Sequence, residues 1–525
     1  MSEKGTTLYP VRLTLIVAVF CLWCIAILGR LGYLQVLQHG QFLRSAQERQ
    51  QLTRSLPAPR GIIYDSGLNL LATSAPVSRV IAEPRKIKNP AETAQALAPV
   101  LDLDPARLLK RLQDPARRSY LVVKQRIGPQ EEAEIDALDL EGVYFEEGSM
   151  RAYPNMELAC HVLGFVNMEG NGGAGIELQY DRELKGRPGL QSHDVDARRV
   201  SFRGKVIQPP VQGHSLVTSL DKTIQFIVER ELAEGVRSNR AVSGTAIVME
   251  PATGRILALA NYPGFNSNLY NEAAPELWRN KAATDFFEPG STFKVVVAAA
   301  ALEAGLTRPE ELIDCQMGSI IIGRHAFRDH KPYGLLTFRQ VLENSSNVGA
   351  AKLGLRLGEP ALHGFLQQFG FGARTGIDLP GEVAGLVRHP RDWSALSIGA
   401  ISFGQEIGVT SLQILRAINA VANGGYLVTP TVVDRIIDDK GDLIRVRAAA
   451  RNRILSPRTA AAVSDAFEGV VLRGTGRRGS VEGYRCAGKT GTAQKIIQGR
   501  YSDTKYLSSF IGFAPLPDPQ ISVLV

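Results

Sequence analysis

The sequence predicts a mixed α/β (α+β) protein behind one N-terminal membrane-spanning helix, and three observations predict it. Leu13 to Gly29 carries no charged residue and is flanked by Arg12 and Arg30. From Arg60 to about Gly213, short strand-like runs alternate with helical ones. Beyond that, a helical middle lies between two strand-rich ends, which fits one antiparallel sheet closed by both ends of a domain, with helices packed against it.

Crossing a bilayer takes about 20 residues, with a lower limit near 17. Leu13 to Gly29 meets that limit with its arginines snorkelling to the interfaces. The run is long for a signal peptide and no A-x-A cleavage site follows it. The reading is therefore an uncleaved anchor over residues 11–31, behind a cytoplasmic tail of residues 1–10. Lys4 and Arg12 before the helix balance Arg30 and Arg44 after it, so charge alone leaves the orientation open. Leu31 to Arg54, rich in Gln, Leu and Arg, reads as a helix leaving the membrane until Pro57 and Pro59 break it. Arg60 to Asp65 is a short strand entering a turn at Ser66-Gly67. Asp104 to Leu112 is helical, and Gly170 to Gly175 a glycine-rich loop without the strand and helix a phosphate cradle needs. Gly244 to Glu250, the turn Pro251 to Gly254 and Arg255 to Ala260 form a hairpin. Helical periodicity covers Ser291 to Ala304 and Asn347 to Leu357, and strand pattern returns at Tyr484 to Lys495 and Leu507 to Phe513.

Composition excludes some classes. With 44% hydrophobic and 21% charged residues in 525, this is a chain with packed cores, not a disordered one. The net charge of +8 is thinly spread with no Lys/Arg block, so a nucleic-acid partner is not expected. Five cysteines make no disulfide framework in so long a chain. Cys21 and Cys24 lie inside the apolar run, away from a redox context; a bridge between two of Cys160, Cys315 and Cys486 stays open. The histidines show no zinc spacing. Neither a metal nor a cofactor is expected.

The chemistry lies in three short motifs. Ser291-Thr292-Phe293-Lys294 opens an apolar helix; Ser345-Ser346-Asn347 follows, and Lys489-Thr490-Gly491-Thr492 falls on a strand. S-x-x-K, S-x-N and K-T-G in that order form the signature of penicillin-binding serine enzymes. Two other S-x-x-K runs exist, at Ser219/Lys222 and Ser502/Lys505, but S-x-N and K-T-G occur once each. A serine hydroxyl needs a base. Lys294, three residues on, shares a helix face with Ser291. To act as base it must lose roughly three units from its reference value near 10.4, through burial and a nearby cation, for which Lys489 is the candidate. Read blandly, Ser345-Ser346-Asn347 caps the helix that begins near Val348, and both readings hold together. Gly491 inside a strand signals a close approach to the backbone. A substrate carboxylate held by Lys489, Thr490 and Thr492 is the expected visitor.

On these residues the chain resembles the class B penicillin-binding proteins, from the anchor to its last residue. Arg60 to Asp65, Arg151 to Pro154, His161 to Gly164, Gly175 to Glu177 and Tyr180-Asp181 resemble the motifs of that family's pedestal. Met249 to Pro251, Thr253-Gly254, Phe287 to Lys294, Asp378 to Glu382 and Gly488 to Thr492 resemble its transpeptidase domain. The resemblance implies an elongated mixed α/β pedestal (dimerisation-type) over 32–213. A penicillin-binding transpeptidase domain over 214–525 follows, with a central antiparallel sheet and helices on both faces. It implies a D,D-transpeptidase of the bacterial cytoplasmic membrane, its catalytic domain outside, cross-linking peptidoglycan stem peptides on lipid-linked precursor strands. Ser291 would be the nucleophile, Lys294 the base, Ser345 a proton relay and Asn347 a donor to substrate or Lys294. The backbone N–H groups of Ser291 and Thr492 would form an oxyanion hole, and β-lactams would acylate Ser291. Ser74 to Val77 and Asn344 to Gly349 are similar to the division (FtsI-like) type rather than the elongation type, implying septal synthesis beside an FtsW-like glycosyltransferase and divisome membrane proteins. The family's domain continues past the apolar run Ile521 to Val525, so the chain reads as truncated there. A β-lactamase is disfavoured because the one E-x-x-x-N run near the site, Glu276 to Asn280, lies upstream of Ser291. A β-lactam sensor would need several spans and a protease, and neither is visible.

Overall fold

The computed structural model describes residues 8–40, 42, 51–118, 120–195, 201–446, 450–497 and 500–525. The chain folds as two compact units, residues 1–58 with 187–211, and residues 59–186 with 212–525.

In the first unit, helix α1 (Leu8–Gly32) runs into a π-helical turn at Tyr33–Leu37. Val11–Leu37 is long and apolar enough to cross a membrane, and none of its most apolar stretch is buried. Three antiparallel strands, Gln51–Leu56, Gly189–Val195 and Ser201–Gln208, form a sheet with Gly189–Val195 in the middle. The helix expected over Leu31 to Arg54 therefore gives way to a strand at its end. Gln51 pairs with Asp194 and so on to Leu56 with Gly189, and this ladder of partners distant in sequence overrides local helical preference. The middle of that expectation, 43–50, lies outside the described residues.

In the second unit, a sheet follows the order Leu443–Val446, Val433–Ile437, Ser215–Thr218, Ile63–Tyr64, Leu70–Ala82 and Leu121–Ile127, with Val143–Ala152 also pairing Leu70–Ala82. It carries strands from both sides of residue 213 in one hydrogen-bonded framework. Four motif segments converge beside it on a buried charge cluster. Arg60 reaches Glu177 Oε2 at 2.9 Å and Asp181 Oδ1 at 2.7 Å. Arg151 Nε donates to Glu177 Oε1 at 2.5 Å, and the Tyr153 hydroxyl donates to the same oxygen at 3.3 Å. Glu177 is wholly buried, and two guanidinium groups offset the cost of burying its charge. The Gly170 carbonyl accepts from Arg60 as well, so the start of the glycine-rich loop lies against this arginine. Tyr180 continues the chain of contacts by donating to Asp378 Oδ2 at 2.8 Å, while Asp378 accepts the Val432 and Val433 N–H groups.

The same unit holds helix α2 (Lys222–Ser238), strands β1 (Gly244–Met249) and β2 (Ile256–Tyr262), and helices α3 (Lys294–Glu303), α4 (Phe338–Glu343), α5 (Asn347–Leu357), α6 (Ser411–Ala422) and α7 (Pro457–Leu472). Strands β3 (Ala487–Ile497), β4 (Arg500–Ala514) and β5 (Ile521–Leu524) follow. The five strands form one antiparallel sheet in the order β2-β1-β5-β4-β3, so both sequence ends of the domain meet in it. Strand alternation gives it two faces. Ala246 and Ala260 pack on Leu232 and Val236 of α2, whereas Ile247, Met249, Ile256 and Leu259 join the main core with α3. Helices cover both faces, as the family resemblance implied. Helix α3 is apolar all round between Lys294 and Glu303, and Val295 to Ala301 are all buried. Burial on every side outweighs the weak helix preference of its three valines. All five cysteines are free, which closes the bridge left open above.

Candidate active site

Ser291 lies one turn earlier than an α-helical start. Gly290–Phe293 is a 3-10 turn that becomes α3 at Lys294. Residues three apart eclipse in a 3-10 turn, and Lys294 Nζ lies 3.2 Å from Ser291 Oγ. Between α4 and α5, Ser345 adopts a left-handed backbone with φ +57°. Its carbonyl lies 2.6 Å and its hydroxyl 3.2 Å from Lys294 Nζ, and Asn347 Oδ1 lies 2.7 Å from it. From β3, Lys489 Nζ donates to Ser345 Oγ at 2.9 Å and to the Thr490 carbonyl at 3.0 Å. The structure thus brings Ser291, Lys294, Ser345, Asn347 and Lys489 together.

The remaining three residues lie along β3. Thr492 is exposed, and the Thr490 hydroxyl meets Thr475 Oγ1 at 3.0 Å. What approaches Gly491 is the serine turn. A Cβ there would stand 2.8 Å from Thr292 Cγ2, 3.0 Å from the Pro289 carbonyl and 2.6 Å from Ser509 Oγ. The glycine lets β3 lie against the nucleophile's turn, and Gly290, at φ +56°, faces the Thr492 carbonyl from the other side. Strand β3 is an edge of its sheet.

The electrostatics follow from burial. Lys294 is 1% and Lys489 0% exposed, while Ser291 and Ser345 are half-buried. Burial, then the charge of Lys489, hold the Lys294 amine well below the ordinary lysine range, with Asp329 pulling the other way. Burial takes Lys489 down to about 7. Lys294 feels both burial and the charge of Lys489, and both favour its uncharged amine. A neutral amine has two N–H donors and one lone pair. Its two nearest neighbours, the Ser345 carbonyl and Asn347 Oδ1, can only accept, so they take the N–H groups. The lone pair is left facing the hydroxyls of Ser291 and Ser345. Asn347 fits this arrangement because its Nδ2 donates to the Arg328 carbonyl at 2.9 Å, leaving Oδ1 for the lysine.

The motif spacing did not point to several neighbours. Glu288, three residues before the serine, accepts from the Glu406 N–H at 2.8 Å and from the Tyr501 hydroxyl at 3.1 Å. Burial pushes its carboxyl above the usual range, and Tyr501 is pushed up in turn by burial and Glu288. Asp329 caps the start of α5 through Ser346, Asn347 and Val348. No spacing rule reaches Asp329, because its partners become neighbours only through the fold.

A serine, two buried lysines and a second serine, arranged on a helix start and a sheet edge, match a known family. Residues 244–525 match the penicillin binding protein transpeptidase domain, and residues 55–218 the penicillin-binding protein dimerisation domain. The chain belongs to the penicillin-binding protein transpeptidases. It is 35% identical to stage V sporulation protein D of Bacillus subtilis, over 94% of this chain and 78% of that protein. To the probable peptidoglycan D,D-transpeptidase PenA of Neisseria meningitidis it is 34% identical, over 96% and 87%. To peptidoglycan D,D-transpeptidase FtsI of Escherichia coli it is 31% identical, over 100% and 88%. Its fold is similar to that of penicillin binding protein 3 from Mycobacterium tuberculosis complexed with aztreonam, with a TM-score of 0.70 and 29% identity over 90% of each chain. A transpeptidase domain preceded by a dimerisation domain is the class B arrangement of this penicillin-binding family.

Proposed function

We propose that this class B penicillin-binding protein is a peptidoglycan D,D-transpeptidase acting through an acyl-enzyme on Ser291, and that it serves septal wall synthesis. The observation that carries the mechanism is the Lys294 amine, buried and set among Ser291, Ser345 and Asn347. Ser291 Oγ attacks the carbonyl of the penultimate D-Ala of a stem peptide while its proton passes to the Lys294 lone pair. The backbone N–H groups of Ser291 and Thr492 hold the developing oxyanion. The proton then moves through Ser345 Oγ to the leaving nitrogen, terminal D-Ala departs, and an ester on Ser291 remains. A neighbouring stem's amine attacks that ester, returning the proton by the same path. Lys489 supplies positive charge beside Ser345, and Thr490 and Thr492 offer hydroxyls to the substrate carboxylate along the edge of β3. A β-lactam, whose amide and carboxylate mimic D-Ala-D-Ala, acylates the same serine.

In this reading residues 1–10 are cytoplasmic, 11–31 anchor the chain, 32–213 form the pedestal and 214–525 the transpeptidase domain. The pedestal and catalytic domain stand outside the cytoplasmic membrane, where peptidoglycan is, beside an FtsW-like glycosyltransferase. The septal role is supported by Ser74 to Val77, by Asn344 to Gly349 and by the likeness to FtsI along the whole of this chain. A fluorescent penicillin tests the nucleophile: wild type becomes covalently labelled and Ser291→Ala does not. Labelling that persists in Ser291→Ala overturns the assignment. Depletion in the host tests the role, with filaments expected; rounded cells would mean wall elongation instead.

A further inference from the structure

Ser345 and Asn347 serve the site only because two turns of chain hold an unusual shape. Ser345 follows α4 in a left-handed conformation that few residues other than glycine adopt, and α5 starts at Asn347 immediately afterwards. Such a conformation persists only where the surroundings over-determine it. The Ser345 and Ser346 N–H groups return to the Leu342 and Val341 carbonyls at 3.1 and 2.9 Å, and one side chain holds the residues that follow. Asp329 Oδ1 accepts the N–H groups of Asn347 and, at 3.1 Å, Val348, while Oδ2 accepts the Ser346 hydroxyl at 2.7 Å. These are the orphan donors of a helix N-terminus, where a carboxylate is favoured. Asp329 is itself fixed, its N–H donating to the Gly318 carbonyl at 2.8 Å at the end of the hairpin Ser319–Ile322/His325–Arg328. The preceding residue adds the Arg328 carbonyl, which accepts from Asn347 Nδ2.

We propose that Asp329 is a positioning residue for acyl transfer, clamping Ser346, Asn347 and Val348 so that Ser345 and Asn347 present their oxygens to Lys294. The proposal rests on the acyl-transfer reading above and gives that site one further member. Asp329 also supplies a negative charge that raises the Lys294 value against burial and Lys489. Other ionisable groups that feel it are the Cys315 thiol and the Tyr333 phenol, both pushed up first by burial and then by Asp329, and so neutral near pH 7. His330, next in the chain, meets the Tyr333 hydroxyl at 3.1 Å. Removing the charge therefore lets Lys294 deprotonate at lower pH.

The test is the acylation rate of full-length protein by a fluorescent penicillin, per folded molecule, from about pH 5 to about pH 9. Asp329→Ala is expected to slow acylation about 100-fold, as small misplacements of catalytic groups do, chiefly in the acylation step and not in penicillin affinity. Asp329→Asn, which keeps an oxygen for the two N–H groups, is expected to lose less than about 10-fold and to move the rising limb of the profile to lower pH. His330→Gln, as control, leaves that limb in place. Asp329→Ala as fast as wild type per folded molecule would overturn the proposal, and so would Asp329→Asn with an unmoved limb. Labelling that persists in Ser291→Ala would instead overturn the acyl-transfer reading itself.

Discussion

At the scale of residues, burial decides which lysine does what. Both Nζ atoms are enclosed, and two like charges so near each other cannot both be held cheaply. Burial and the charge of Lys489 hold Lys294 down, and its Nζ lies 3.2 Å from Ser291 Oγ, so it is the base and Lys489 the charge. The acylation rate should rise with pH through the Lys294 value and fall as Lys489 loses its charge near 7. Lys489→Ala removes the second cause of the Lys294 depression, so the rising limb should move to higher pH; a pH–rate profile of penicillin acylation checks this. Lys294→Ala should cost about 10²–10⁴-fold in that rate, the range for a positioned acid–base group. The three motifs were legible in the sequence because each is short and its spacing sets its geometry. Glu288 and Asp329 were not, since a carboxylate's worth here depends on backbone N–H groups brought to it from elsewhere.

At the scale of elements, the site is a seam between a helix start and a sheet edge, and Gly491 sets its width. Gly491→Ala would place a Cβ within 2.8 Å of Thr292 Cγ2 and 3.0 Å of the Pro289 carbonyl. Strand β3 must then move off the serine turn. Acylation should fall about 100-fold, as about 1 Å of misplacement does, while the melting temperature falls by only a few degrees; stopped-flow acylation and calorimetry together check this. The sequence signalled a close approach at Gly491, and in the structure the protein's own serine turn lies against it. The hairpin of β1 and β2 was readable from its alternation and turn, and α5 from its periodicity and serine cap. The strand Gln51–Leu56 was not, because its partners Gly189–Val195 lie far along the chain and no local pattern announces them.

At the scale of the whole molecule, the motifs before residue 213 do structural work. Arg60, Arg151, Tyr153, Glu177 and Asp181 meet in one buried cluster, and Tyr180 carries it to Asp378. Glu177→Ala would take the carboxylate partner from the buried Arg151 guanidinium and leave Arg60 with Asp181, which costs about 3–5 kcal/mol. Thermal unfolding should show that loss, with penicillin acylation per folded molecule unchanged. The sequence displayed these motifs but not their meeting, which requires the sheet that spans residues 63 to 446. The central claim is that this assembly delivers an acyl group to an amine. Its most direct test is full-length protein in membranes given a stem peptide ending in D-Ala-D-Ala and a D-amino acid acceptor, with products read by mass spectrometry. The account predicts the acceptor joined to the penultimate D-Ala with terminal D-Ala released in equal amount, and no product with Ser291→Ala. A product that is only the hydrolysed peptide, or one that persists in Ser291→Ala, would contradict it.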